Sequence, residues 1–243
     1  MKPVIGIPLR YQALKDGRPI VYMSECVRRT IQSAGGIVYP IVPVQDVDYF
    51  YTKGNEFPEI TKEEICIIDD MLNFCDGILF PGGIKFTPFD RYILEQAIEK
   101  KIPVLGICLG MQMMSCYNED INLNEIDSDI NHKQDLDEGY SHEVNILKGS
   151  KLYEILGVES LEVNSFHKYC VTKNNIYKIS AISSDRIIEA IEYPSDVFNI
   201  GVQWHPEISY SFDDNSKKII DAFIKAAYNK ACSKNKTIES VVE

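Results

Sequence analysis

The fold is read from one stretch, Pro103-Val104-Leu105-Gly106-Ile107-Cys108-Leu109-Gly110-Met111-Gln112-Met113-Met114-Ser115-Cys116-Tyr117. The apolar run Val104 to Ile107 breaks at Cys108, and Leu109, Gln112, Met113 and Cys116 then follow at helical spacing. The pattern predicts a strand, a sharp turn and a helix. Gly106 and Gly110 flank the cysteine as G-x-C-x-G, the thiol counterpart of a serine nucleophile elbow. A chain that doubles back at such a turn needs neighbours without a Cβ. The new helix points free N–H groups and its positive end at the sulfur, which favours the thiolate.

Alone, this pattern also suits a buried cysteine at an ordinary βα turn. A second stretch decides between the two, Asn199-Ile200-Gly201-Val202-Gln203-Trp204-His205-Pro206-Glu207. It reads as a strand ending in His-x-Glu, in a chain with only four histidines, His132, His142, His167 and His205. A cysteine nucleophile needs a base, and the base needs a carboxylate to hold its tautomer and stabilise its charged form. His205 and Glu207 supply both from one strand end, with Pro206 stiffening the link.

Composition narrows the class. The 243 residues carry a net charge of −11, which argues against nucleic acid or an anionic membrane as partner. No apolar run approaches a membrane span of ~20 residues. A strand begins at Pro3, which leaves no room for a signal peptide. Seven cysteines without C-x-x-C spacing indicate neither a disulfide framework nor a zinc site. Free thiols and a cytoplasmic setting are therefore expected.

Read in order, Val4 to Leu9 is a buried strand, Arg10 to Pro19 a polar loop, and 21–34 a helix stopped by Gly35-Gly36. Ile37 to Val42 is a second strand, which sets up a right-handed parallel crossover. Thr61-Lys62-Glu63-Glu64 opens a helix with a capping-box pattern. Asp76 to Phe80 is the third strand, followed by Pro81-Gly82-Gly83, and Phe89 to Lys101 is a helix that delivers the elbow strand. Residues 118–138 form an acidic, irregular excursion. Short strands follow around 141–147, 161–165, 177–183, 186–192 and 198–203, on connections too short for helical crossovers, so their pairing is antiparallel. Residues 215–228 form a closing amphipathic helix, and 230–243 a polar, frayed tail. The expected domain spans 1–229.

Gly-Ile-Cys-Leu-Gly together with Gly-Val-Gln-Trp-His-Pro-Glu resembles the class I glutamine amidotransferase superfamily, and within it the γ-glutamyl-γ-aminobutyrate hydrolase family (peptidase C26-like), over roughly residues 3–228. The resemblance implies an α/β flavodoxin-like fold, with a mainly parallel central sheet and an antiparallel extension. It implies Cys108, His205 and Glu207 as catalytic triad. Gly83 and Leu109 become the N–H donors of an oxyanion hole, and Gly82, Gln112, Asn164, Ser165 and His167 the substrate-binding residues. Val163-Asn164-Ser165-Phe166-His167 is similar to a family segment that lines the active site, although its residues also suit a strand end with a satisfied histidine.

The expected activity is hydrolysis of a γ-glutamyl amide through a cysteine thioester, on a small-molecule substrate, with no cofactor or metal. A homodimer is an admissible assembly. Leu109 replaces the family's usual arginine, Ile84-Lys85 its small residue and aspartate, and Lys168 its second histidine, so the rim that reads the leaving group is altered. Lys85 and Lys168 are then two candidate cations at the site mouth, or two solvated lysines. Two rivals remain: a glutaminase subunit that passes ammonia to a separate synthase, and a non-catalytic γ-glutamyl-binding protein.

Overall fold

A computed structural model describes residues 1–53, 56–116, 123–135, 139–172 and 176–242, with side chains to 235. The elements follow as β1 (Val4–Pro8), β2 (Arg10–Ala13), β3 (Pro19–Tyr22), α1 (Glu25–Ser33), β4 (Ile37–Ile41), α2 (Lys62–Asn73) and β5 (Gly77–Phe80). Next come α3 (Pro88–Glu99), β6 (Val104–Ile107), α4 (Leu109–Ser115), β7 (Leu123–Glu125), β8 (His142–Ile146), α5 (Lys151–Leu156), β9 (Ser160–Val163) and β10 (Tyr169–Val171). The chain closes with β11 (Lys178–Ser183), β12 (Ile188–Glu192), β13 (Asn199–Val202), α6 (Pro206–Ser209) and α7 (Asp214–Val242).

Nine strands form one sheet in the order β4-β1-β5-β6-β13-β12-β11-β8-β9. The first five run parallel and the remaining neighbours pair antiparallel. This is the mainly parallel α/β sheet with an antiparallel extension that the sequence leads one to expect. Its parallel strands are apolar on both faces because helices cover both. On one face Ile5, Ile7, Leu105 and Ile107 pack with Val27 and Ile31 of α1 and Ile219 and Phe223 of α7. On the other, Ile78, Phe80 and Val104 pack with Ile68, Leu72, Ile93 and Leu94 of α2 and α3.

Local chemistry sets the helix starts. Thr61 Oγ1 accepts from the Glu64 N–H while the Glu64 carboxylate accepts from the Thr61 N–H, so the capping box forms as read. Thr87 and Asp90 repeat the device on α3, with Pro88 in its first turn.

Four expectations change. The stretch 10–19 is the hairpin β2–β3, turning at Gly17 with φ 86°, and it delays the first helix to Glu25. Two four-residue strands carry too few side chains for an alternation to be visible. Within the excursion expected over 118–138, residues 118–122 and 136–138 lie outside the described ones, and the described part contains β7, paired with β10. α5 also lacked a sequence reading, although Ser150 caps it and Gly157 ends it with φ 72°. Finally, α7 continues from Asp214 to Val242 in place of a frayed tail. Ala231 is buried, and the ammonium groups of Lys230 and Lys234 donate to the carbonyls of Lys100 and Cys75. No helix among the described residues is long and apolar enough to cross a membrane.

The tightest packing of the sheet lies at the elbow. A Cβ built on Gly110 would stand 2.2 Å from the Phe80 carbonyl oxygen, an obstacle that is backbone and cannot rotate away. Gly110→Ala must push α4 off β5 and should cost about 1–3 kcal/mol or more, as overpacking does. Urea unfolding should show a clearly lowered midpoint; an unchanged midpoint would mean α4 is free to slide.

Candidate active site

Three adjacent strands deliver the site. Phe80 of β5 pairs with Gly106 of β6, and Ile107 of β6 pairs with Val202 of β13. The segments that follow, Pro81-Gly82-Gly83, Cys108 and Gln203-Trp204-His205, therefore leave the sheet side by side at its carboxyl edge, where open α/β sheets bind ligands.

Cys108 has φ 52° and ψ −105°, a conformation non-glycine residues rarely occupy. It costs about 1–3 kcal/mol and persists only because its surroundings impose it. The Cys108 N–H donates to the Val202 carbonyl at 2.8 Å, and its own carbonyl accepts from Gln112 N–H at 3.0 Å. Gly106 and Gly110 admit the turn, since a Cβ on Gly106 would meet the Met114 sulfur at 2.3 Å. Leu109 opens α4, so its N–H has no partner within that helix.

His205 and Glu207 are brought together. His205 Nδ1 lies 2.8 Å from Glu207 Oε1, and both side chains are largely buried. Burial alone would lower the His205 pKa. The charges of Glu207 and Cys108 and their hydrogen bonds outweigh it, and His205 is raised well above its ordinary value. Gly82 and Gly83 close the site: a Cβ on Gly82 would touch His205 Cε1 at 2.8 Å, and one on Gly83 would touch Leu109 Cδ2 at 3.0 Å. Arg10, Gly82, Gly83, Phe166, His205 and Glu207 line a cavity of about 400 Å³.

The other sequence-predicted residues lie near the site but spend their polar groups on the protein. Asn164 Oδ1 accepts from the His205 N–H at 2.8 Å, and its amide donates to the His205 carbonyl at 2.9 Å and to Ser209 Oγ at 3.1 Å. It grips the main chain of the base from both sides. Ser165 Oγ donates to the His132 carbonyl, and the Ser165 N–H to Gln134. Gln112 donates to the Tyr169 carbonyl and to Gln203 Oε1. His167 is buried, with Nδ1 3.1 Å from the Tyr169 carbonyl, and burial pushes its pKa down to about 4. Lys85 is no free cation at the mouth: its ammonium donates to the carbonyls of Phe50 and Thr52 and lies over the Phe57 ring. Lys168 is exposed.

Sequence reasoning missed Arg10. It is buried, donates from Nε to the Pro81 carbonyl at 3.0 Å, and pairs through Nη1 with Asp90 at 2.7 Å. It thereby ties the glycine loop to the capping box of α3. A single arginine in a short polar run carries no such signal. Thr30 was also missed; its hydroxyl holds the Glu207 carbonyl at 2.9 Å.

Asn164 separates two roles. Asn164→Ala removes three bonds, each worth about 0.5–1.5 kcal/mol, two of them to the main chain of His205. It should lower kcat on the substrate class proposed below by roughly 10–100-fold with KM little changed. A large rise in KM at unchanged kcat would instead make Asn164 a substrate ligand.

A protein-family model described as Peptidase C26 matches residues 87–207. A CTP synthase of Staphylococcus saprophyticus is 29% identical over 96% of this chain, and the chain spans only 46% of that protein. A Schizosaccharomyces pombe protein named as a glutamine amidotransferase is 34% identical over 61% of this chain and 68% of its own length. Among solved structures, the glutaminase domain of Trypanosoma brucei CTPS with bound acivicin superposes with a TM-score of 0.61 at 20% identity, covering 93% of this chain and 94% of that one. This last likeness concerns the fold. With fold, elbow and these relatives in agreement, the chain belongs to the class I glutamine amidotransferase-like family.

Proposed function

We propose that the chain hydrolyses γ-glutamyl amides, of the γ-glutamyl-GABA kind, through a thioester on Cys108. The observation that carries this reading is Cys108 on its strained elbow beside His205, with Glu207 2.8 Å from the imidazole and a cavity lined by Gly82, Gly83, His205 and Glu207. The thiolate sulfur attacks the γ-carbonyl and the carbonyl oxygen becomes an oxyanion. The N–H groups of Gly83 and Leu109 receive that charge. His205, bearing the proton taken from the thiol, gives it to the departing amine as the C–N bond breaks. Water then attacks the thioester and loses a proton to His205; the thiolate leaves, and glutamate is released. Glu207 keeps the imidazole oriented through both halves.

A second reading, a glutaminase that passes ammonia to a separate synthase, is favoured by the likeness to a CTP synthase of which this chain spans less than half. The two differ in what the chain does alone. Assayed by itself on glutamine and a panel of γ-glutamyl amines, a hydrolase turns over the amines. A synthase-linked glutaminase stays slow on all of them until its partner is added.

Two variants test the chemistry. Cys108→Ala should abolish turnover, by ~10⁴-fold or more if the triad acts as a unit. Retained activity, or faster alkylation of Cys116 or Cys170, would remove Cys108 from the role. Glu207→Gln should leave the fold intact and cut kcat substantially, though less than loss of the nucleophile. It should also lower the His205 pKa, because burial then acts without the opposing carboxylate. An imidazole titration followed by NMR reads that shift directly, and an unmoved titration with unchanged kinetics would assign the orienting role elsewhere.

A further inference from the structure

Three of the four histidines do not serve the triad and instead converge on one buried carboxylate. His132 Nδ1 and His142 Nε2 each lie 3.3 Å from Glu189 Oε1, and His167 Nε2 lies 3.7 Å from the same oxygen. Exposure is 4%, 7%, 5% and 0% for His132, His142, His167 and Glu189, so water does not screen this charge.

Hydrogen-bond accounting shows what these atoms present. His132 turns Nε2 to Asp185 Oδ2 at 2.9 Å, and Asp185 is held in turn by the hydroxyls of Ser128 and Ser183. His167 turns Nδ1 to the Tyr169 carbonyl. A neutral imidazole that donates from one nitrogen offers a lone pair from the other. His132 Nδ1 and His167 Nε2 then turn lone pairs toward the carboxylate oxygen that His142 Nε2 meets at hydrogen-bond distance, a set of donor atoms that one cation can join. His132 Nδ1, His167 Nε2 and Glu189 Oε2 have no hydrogen-bond partner among the described residues. An imidazole oriented by a carboxylate or a carbonyl on its far nitrogen is the outer support that metal-binding histidines receive.

Distance selects the cation. A tetrahedron with metal–nitrogen bonds of about 2.0–2.1 Å has edges of roughly 3.3–3.4 Å. The separations of His132 Nδ1 and His142 Nε2 from Glu189 Oε1, 3.3 Å each, match that edge. The ligand atoms of His132, His142 and Glu189 all lie within 4.8 Å of one another. We propose that His132, His142 and Glu189 form a buried site for a zinc-class divalent cation, with His167 beside it, 3.7 Å from the same carboxylate oxygen. Burial of all three ligands closes the site to substrate, so it is structural and takes no part in the chemistry at Cys108. It joins β8 and β12 to the segments 131–134 and 164–169, the latter carrying the Asn164 grip on His205 and the Phe166 ring against it.

The test uses the full chain stripped with a chelator and then titrated with Zn²⁺ against a chromophoric competitor. The expected result is a single tight equivalent and a raised Tm. His142→Gln should lose the tight equivalent, and Asp185→Asn, which removes only the outer support, should weaken it by about 10–100-fold. Co²⁺ in the wild-type chain should give the visible bands of a tetrahedral site without a thiolate charge-transfer band, which separates this site from the seven cysteines and does not depend on any variant folding. Absence of tight binding in the wild type, tight binding that survives His142→Gln, or a thiolate band would each overturn the proposal; the first would mean that protons alone join these groups.

Discussion

The backbone at Cys108 is the constraint on which the rest of the structure depends. Its φ of 52° is held by a hydrogen bond to Val202, by α4 pressed against Phe80, and by glycines where any Cβ would collide. None of these contacts touches the sulfur. They act through strand order: β6 lies between β5 and β13, so the turn after it is squeezed by the turns after its neighbours. Strain that would melt an isolated turn is carried by a doubly covered sheet, a small fraction of what that sheet's burial supplies.

A second layer stands behind Cys108, His205 and Glu207. Asn164 holds the main chain of His205, Thr30 that of Glu207, and Arg10 that of Pro81. Each of the three turns at the sheet edge thus has a backbone clamp or a neighbouring strand to fix it. Arg10 and Asp90 make a buried pair, an expensive arrangement unless geometry and further hydrogen bonds are good. Here the carboxylate also accepts from the N–H and hydroxyl of Thr87, which meets that condition on its side, while Arg10 Nη2 has no hydrogen-bond partner among the described residues.

What could be read from sequence was what repeats or caps. Apolar runs located β1, β5, β6 and β13, and Thr61 with Glu64 located the start of α2, because a period and a capping box are short-range signals. The elbow and the His-x-Glu end were legible for the same reason. The hairpin β2–β3 was not, since its strands are four residues each. Nor was the role of Asn164: its type and place in Val163-Asn164-Ser165 suggest a ligand, and only the fold shows that the polar group it meets is the backbone of His205, 41 residues on. The histidine cluster was invisible for that reason too. Positions 132, 142, 167 and 189 have no ligand spacing along the chain, and four separate segments have to be paired before they meet.

The parallel pairing of β6 with β13 has a consequence for how the chain comes into being. Its two strands are separated by almost a hundred residues, including the whole antiparallel extension. During synthesis the elbow cysteine emerges long before the strand that clamps it, and loop closure over that span is slow and entropically opposed. A nascent or prematurely ended chain therefore carries an ordinary turn where the finished one carries the strained elbow of Cys108. The elbow arrives with the last strand of the sheet, and a fragment ending before Asn199 would regain it only by capturing the missing strand from a second fragment.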